Sequence, residues 1–142
     1  PNERAFRKAA LNWIDNSAIN SLIGFIAKNN IQLIITTDHG SILAKKPSLL
    51  KGNHDHTDNL RYKHGHRITA VKKESLTFNF PENIGLPKNS LASQYIFAKE
   101  AYFFTYPNAY HKFVSHFQNT YQHGGVSMEE MMVPFIVLQP KK

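Results

Sequence analysis

The sequence predicts an α/β fold, and three observations carry that reading. Apolar residues recur at helical spacing over the first 28 positions, an almost unbroken aliphatic run follows at Ile31 to Thr37, and later segments rich in aromatics have the character of strands. A helix leading into a strand that is apolar on both faces is the pattern of a sheet covered by helices. With 142 residues, 42% hydrophobic and 12% aromatic, the chain supports one sizeable core and argues poorly for two.

The first helix is expected over Glu3 to Ile14, where Phe6, Ala9, Ala10, Trp13 and Ile14 share a face. Asp15, Asn16 or Ser17 caps a second, whose apolar positions Ile19, Leu22, Ile23 and Ile26 repeat at three and four before Lys28-Asn29-Asn30 ends it. Ile31 to Thr37 is then a strand buried on both faces, and Ser41 to Lys45 a further short strand before Pro47. Lys51 to Arg67 is polar and reads as a long surface excursion.

Ser75 to Phe80 alternates apolar and polar residues as a strand does, and Pro81 to Ser90, with Gly85 and two prolines, is a loop. Tyr95 to Lys99 and Ala101 to Tyr106 suggest two aromatic-rich strands, close enough in sequence to pair as a hairpin. Tyr110, Phe113, Val114 and Phe117 place a third helix at about Ala109 to Gln118. Ser127 with Glu130 three positions on is a capping box, so a helical turn starts after Gly125, and Val133 to Leu138 closes the chain as a strand.

Composition narrows the function. The absence of cysteine excludes disulfides and thiolate zinc sites, so any metal is left to His, Asp, Glu or Thr, and the composition suits the cytoplasm. Lys and Arg number 17 against 10 Asp and Glu, a formal charge of +7 that favours anionic partners, or else a single solvated basic face. No apolar run approaches the roughly 20 residues of a membrane span, so no membrane partner is expected. A chain that opens on Pro1 and moves at once into helical pattern is expected to be a C-terminal piece of a longer one, with Gln139 to Lys142 as a basic tail.

The most informative motif is Thr37-Asp38-His39-Gly40 at the end of the first strand, answered by His123-Gly124-Gly125. In an open α/β sheet, ligands bind beyond the carboxyl ends of strands. Asp38 and His39 offer an oxygen donor and an imidazole to one divalent cation, Gly40 lets the backbone bend so that both converge, and His123 on its glycine turn serves a second ion. An ordinary hydrogen-bonded strand terminus and an ordinary loop remain the alternative. His54-Asp55-His56 and His64-Gly65-His66 have the residue types of ligands, but paired histidines in a polar loop are more often solvated. Arg61 and Lys63 either contact phosphate oxygens or line a charged strand edge.

Taken together, Thr36-Thr37-Asp38-His39-Gly40 and the stretch His123-Gly124-Gly125-Val126-Ser127-Met128-Glu129-Glu130 through Val133-Pro134-Phe135-Ile136 resemble the C-terminal half of a PglZ domain of the alkaline phosphatase superfamily. Asn59 to Lys63, Tyr102 to Asn108 and Asn119 to Gln122 are similar to the PglZ domain that closes PorX-type response regulators of Bacteroidetes. The resemblance implies the C-terminal portion of an alkaline-phosphatase-like sheet, and two zinc ions in the intact domain. One is held by an Asp-His pair like Asp38 and His39, the other by a late His like His123. The other ligands, including an Asp-x-x-x-His pair, and a Thr or Ser nucleophile that attacks phosphorus would lie upstream. Asp15 is followed four positions later by Ile19, so that spacing is missing here and the piece alone is expected to be inactive.

By the same resemblance, the parent protein is a homodimeric response regulator in type IX secretion, with an N-terminal receiver domain and a phosphodiesterase output acting on oligonucleotides. Separately, loss of the upstream strands of a shared sheet leaves an exposed edge, so this piece is expected as a strand-exchanged oligomer or alongside its missing half. Two other readings stand beside it: a dimerisation and signalling module that keeps the phosphatase-like fold without catalysis, and a basic nucleic-acid-binding module without chemistry.

Overall fold

The computed structural model describes residues 2–141 apart from 55–57, and for positions 53 and 54 the backbone alone. The fold is mixed α/β, and the chain divides into two compact units: Pro1–Asp38 with Val133–Lys142, and His39–Met132.

In the first unit, α1 (Glu3–Asp15) starts on Asn2, whose side chain accepts the Ala5 N–H at 2.9 Å. Helix α2 (Ile19–Lys28) follows, then β1 (Leu33–Thr36), which pairs antiparallel with the terminal strand β9 (Phe135–Leu138) from Leu33 opposite Leu138 to Thr36 opposite Phe135. The Thr36 hydroxyl donates to the Pro134 carbonyl at 2.8 Å and ties the open end of the ribbon. Neither helix has a buried residue, and β1 is not enclosed as its composition predicts: Ile34 is 50% exposed and its partner strand carries Phe135 at 70%. The reason is topological, since this sheet has two strands and both are edges.

The second unit is built on a five-stranded sheet in the order β5-β6-β4-β3-β7. Its strands are β3 (Lys46–His54), β4 (Tyr62–Ala70), β5 (Ser75–Phe78), β6 (Ser93–Ala98) and β7 (Tyr102–Thr105). The β3–β7 pair is parallel and the others antiparallel. Phe103 and Phe104, neighbours on β7, point to opposite faces as strand geometry requires. Phe104 packs with Leu50, Ile68, Ile96 and Ala98. Phe103 joins Ala44 and Leu60, against which Phe113 and Phe117 of α3 (Tyr110–Phe117) are laid. A ribbon of β2 (Ile42–Ala44) and β8 (Thr120–Gln122) and the short helix α4 (Met128–Met131) complete the unit.

Two expectations are corrected here. Most of the Lys51 to Arg67 stretch is not an excursion: β3 runs to His54 and β4 begins at Tyr62, because each finds a ladder partner that polarity alone does not reveal. Strands β6 and β7 are not a hairpin, since β6 lies between β4 and β5 while β7 joins β3.

Candidate metal centre

His39 and His123, 84 positions apart in sequence, meet in the second unit with ring centroids 4.0 Å apart and planes inclined by 10°. Both residues are exposed, so the rings stand at the surface where a ligand reaches them. The His39 Nδ1 lies 2.8 Å from the Gly40 carbonyl oxygen, which only accepts, so Nδ1–H is the donor of this contact. Asp38 belongs to the first unit, where it follows β1 and is exposed.

The glycines of both turns answer to their surroundings. Gly40 is required by space rather than by a left-handed backbone: its N–H donates to the Glu130 carbonyl at 2.9 Å, and a β-carbon there would overlap the Glu129 carbonyl oxygen. Gly124 has φ of 93°, a conformation that side chains with a β-carbon rarely adopt, and it sits against the Asn59 amide.

Behind these turns lies a polar cluster that sequence reading misplaces. Arg61 is neither on a charged edge nor presented to phosphate: it is fully buried, with Nε 2.9 Å from Glu130 Oε1 and Nη2 2.8 Å from Oε2. Its Nη1 donates to the Tyr102 carbonyl, so the guanidinium is satisfied on three sides. Burial pushes the Glu130 carboxyl up, but the Arg61 hydrogen bonds, the Gly125 N–H and Ser127 more than offset it and hold the group below the usual carboxylate range. Glu130 accepts the Ser127 N–H at 3.2 Å, one arm of the expected capping box. Lys63 is buried too, with its ammonium 5.6 Å from the Tyr106 ring centre, and burial takes its pKa down to about 8.

Among the described residues, His64 and His66 lie elsewhere with partners of their own. His64 stacks on Tyr95 at 5.5 Å, and His66 Nδ1 lies 3.4 Å from the Ser90 hydroxyl. Asp55 and His56 lie outside the described residues, as does the side chain of His54. Among the described residues, no three His, Asp or Glu side chains gather closely enough to hold an ion by themselves. His39 and His123 are brought together as two candidate ligands and do not by themselves make a shell.

That pair discriminates between metal arrangements. An imidazole lone pair lies in the ring plane, and zinc sits about 2.0–2.1 Å from the nitrogen. One ion cannot lie in two nearly parallel planes stacked this far apart, whereas two ions can, one in each plane. As they stand, the two rings are ill placed to share one ion.

Among the described residues no helix is long and apolar enough to cross a membrane. A family model described as the BREX system PglZ alkaline phosphatase-like domain matches residues 2–138. No curated protein sequence matches the chain.

Proposed function

The chain belongs to the PglZ family of alkaline phosphatase-like domains, and from that premise we propose that it contributes to a two-zinc phosphodiesterase. His39 serves one ion and His123 the other. The near-parallel stacking of their rings at 4.0 Å is the observation that supports this division most directly. Asp38 enters the proposal through its place next to His39 in sequence, as a charged oxygen ligand to the same ion.

Zinc, when bound, supplies Lewis acidity toward phosphoryl oxygens and makes a nearby hydroxyl a better nucleophile. The part of this chain is to present ligands. The His39 Nδ1–H, held by the Gly40 carbonyl, leaves Nε2 as the nitrogen that would take the ion. The turn at Gly124 and Gly125 presents the second imidazole face to face with the first. By the resemblance to the family, the nucleophile and remaining ligands come from upstream of Asp38, and no residue of this chain is assigned to those roles. The charge of +7 agrees with an anionic phosphodiester, of oligonucleotide type, as substrate. The similarity to PorX-type proteins supports a finer setting for the same chemistry: a cytoplasmic response regulator, homodimeric, with a receiver domain controlling this output in type IX secretion.

The test is made on the intact protein that carries these residues. Metal analysis should find about two zinc ions per chain, with cleavage of a chromogenic phosphodiester. Asp38→Ala, His39→Ala and His123→Ala should each lower zinc content and abolish turnover. Unchanged zinc content and turnover in all three variants would overturn the assignment, and full partner binding without turnover in the wild type would favour the signalling module.

A further inference from the structure

Glu130 fastens both turns that carry the imidazoles. Its main-chain carbonyl accepts the N–H of Gly40, the residue after His39, at 2.9 Å. Its carboxylate accepts the N–H of Gly125, two residues after His123, also at 2.9 Å. The same carboxylate is locked by the fork of Arg61, and an added β-carbon at Gly125 would crowd both Glu130 oxygens and the Arg61 Nε. Asn59 completes the brace: its amide nitrogen donates to the His123 carbonyl at 3.0 Å, and its oxygen accepts the N–H groups of Arg61 at 2.7 Å and Tyr62 at 3.0 Å.

We infer that Glu130, braced by Arg61 and Asn59, is the positioning residue that sets the spacing of the His39 and His123 rings. Three features bear on this. First, the rings stand exposed and stacked at 4.0 Å, and the turns that carry them are joined to one another through the hydrogen bonds of a single residue. Second, the cluster is internally satisfied, with every Arg61 nitrogen engaged, and a fully paired buried network is rigid where a partly paired one is not. Third, one residue supplies both fastenings, so a shift of Glu130 is felt at both turns. For its catalytic consequence the inference rests on the two-zinc reading, but the geometry it assigns does not.

The experiment therefore reads ring geometry and zinc affinity separately, on the intact protein. Histidine-labelled NMR of the metal-free form reports the mutual ring-current shifts of His39 and His123, assigned with His39→Ala and His123→Ala. In Glu130→Gln these shifts should collapse toward the values in the single-histidine variants, and zinc affinity should fall about 10- to 100-fold, the usual effect of losing an outer hydrogen-bond partner. Because a lone buried Arg61 could unfold that variant, Arg61→Met with Glu130→Met removes both charges together and keeps the main-chain bond to Gly40. It should lose the stacking shifts while remaining folded by circular dichroism. Asn59→Ser, which buries no unpaired charge, should move the His123 signals more than those of His39. Retention of wild-type ring-current shifts in the folded variants would overturn the inference. Failure of the wild type to bind zinc would defeat the proposed function while leaving the geometric result intact.

Discussion

The Gly40 amide donates to the Glu130 carbonyl oxygen at 2.9 Å, and this approach leaves no room for a side chain on residue 40. An added β-carbon meets backbone, which cannot rotate aside as a flexible side chain could. Gly40→Ala is therefore expected to cost about 3 kcal/mol, toward the upper end of overpacking penalties. A denaturant midpoint shifted to lower concentration at unchanged slope is the expected reading. A midpoint within error of the wild type would mean that the turn relaxes freely.

Gly24 gives the opposite sign. It lies within α2, and a β-carbon there meets nothing within 4 Å. Gly24→Ala removes backbone freedom from the unfolded chain without a steric cost, so the helix should gain roughly 0.5–1 kcal/mol. Slower amide hydrogen exchange across Ile19 to Lys28 would register the gain. Faster exchange would show that the site is not open.

Phe103 and Phe104 are both fully buried on β7 and belong to clusters with no buried member in common. Truncation of either to Ala should cost about 3–5 kcal/mol. With the milder Phe→Leu changes, the double variant should equal the sum of the singles within about 0.5 kcal/mol, because the two side chains lie on opposite faces of the strand in clusters with no member in common. A larger coupling energy would indicate that the sheet transmits strain between its faces.

Elements with a local signature were legible in the sequence. The spacing of Phe6, Ala10 and Trp13, and of Phe113 and Phe117, marks helices that the structure contains. Strand β8 escaped notice because three residues, Thr120–Gln122, carry no alternation and owe their state to β2. Strand β3 was obscured by Pro47 and by the irregularity between Lys51 and Asn53, though its two neighbours in the sheet settle its conformation. Of the candidate site, the residue types at 39 and 123 were readable, but not the distance between them. The Arg61–Glu130 pair spans 69 positions, and the only local hint of a role for Glu130 was its place in the capping box. Polarity sends an Arg outward in any sequence reading; only a partner that satisfies its fork makes burial tolerable.

Lys63 and Tyr106 make stability depend on pH in a direction opposite to that of most ion pairs. Burial lowers the Lys63 pKa from 10.5 to about 8, with Asp58 opposing, and raises that of Tyr106 from 10.0 to about 12. Below pH 8 both folded and unfolded chains hold the Lys63 proton, and the folded state bears the cost of a buried ammonium. Between about 8 and 10.5 the unfolded chain binds more protons, so stability rises with pH by up to about 3 kcal/mol. Above 10 the sign reverses: the unfolded chain releases the Tyr106 proton while the folded chain keeps it until about 12, and stability falls. Denaturant midpoints measured from pH 7 to 11 should therefore climb and then turn over. Lys63→Met should be flat over the rising limb relative to wild type, and Tyr106→Phe should lose the part of the falling limb that is its own. If the Lys63→Met and wild-type profiles run parallel between pH 8 and 10, the ammonium is better solvated than its burial beneath Tyr106 implies.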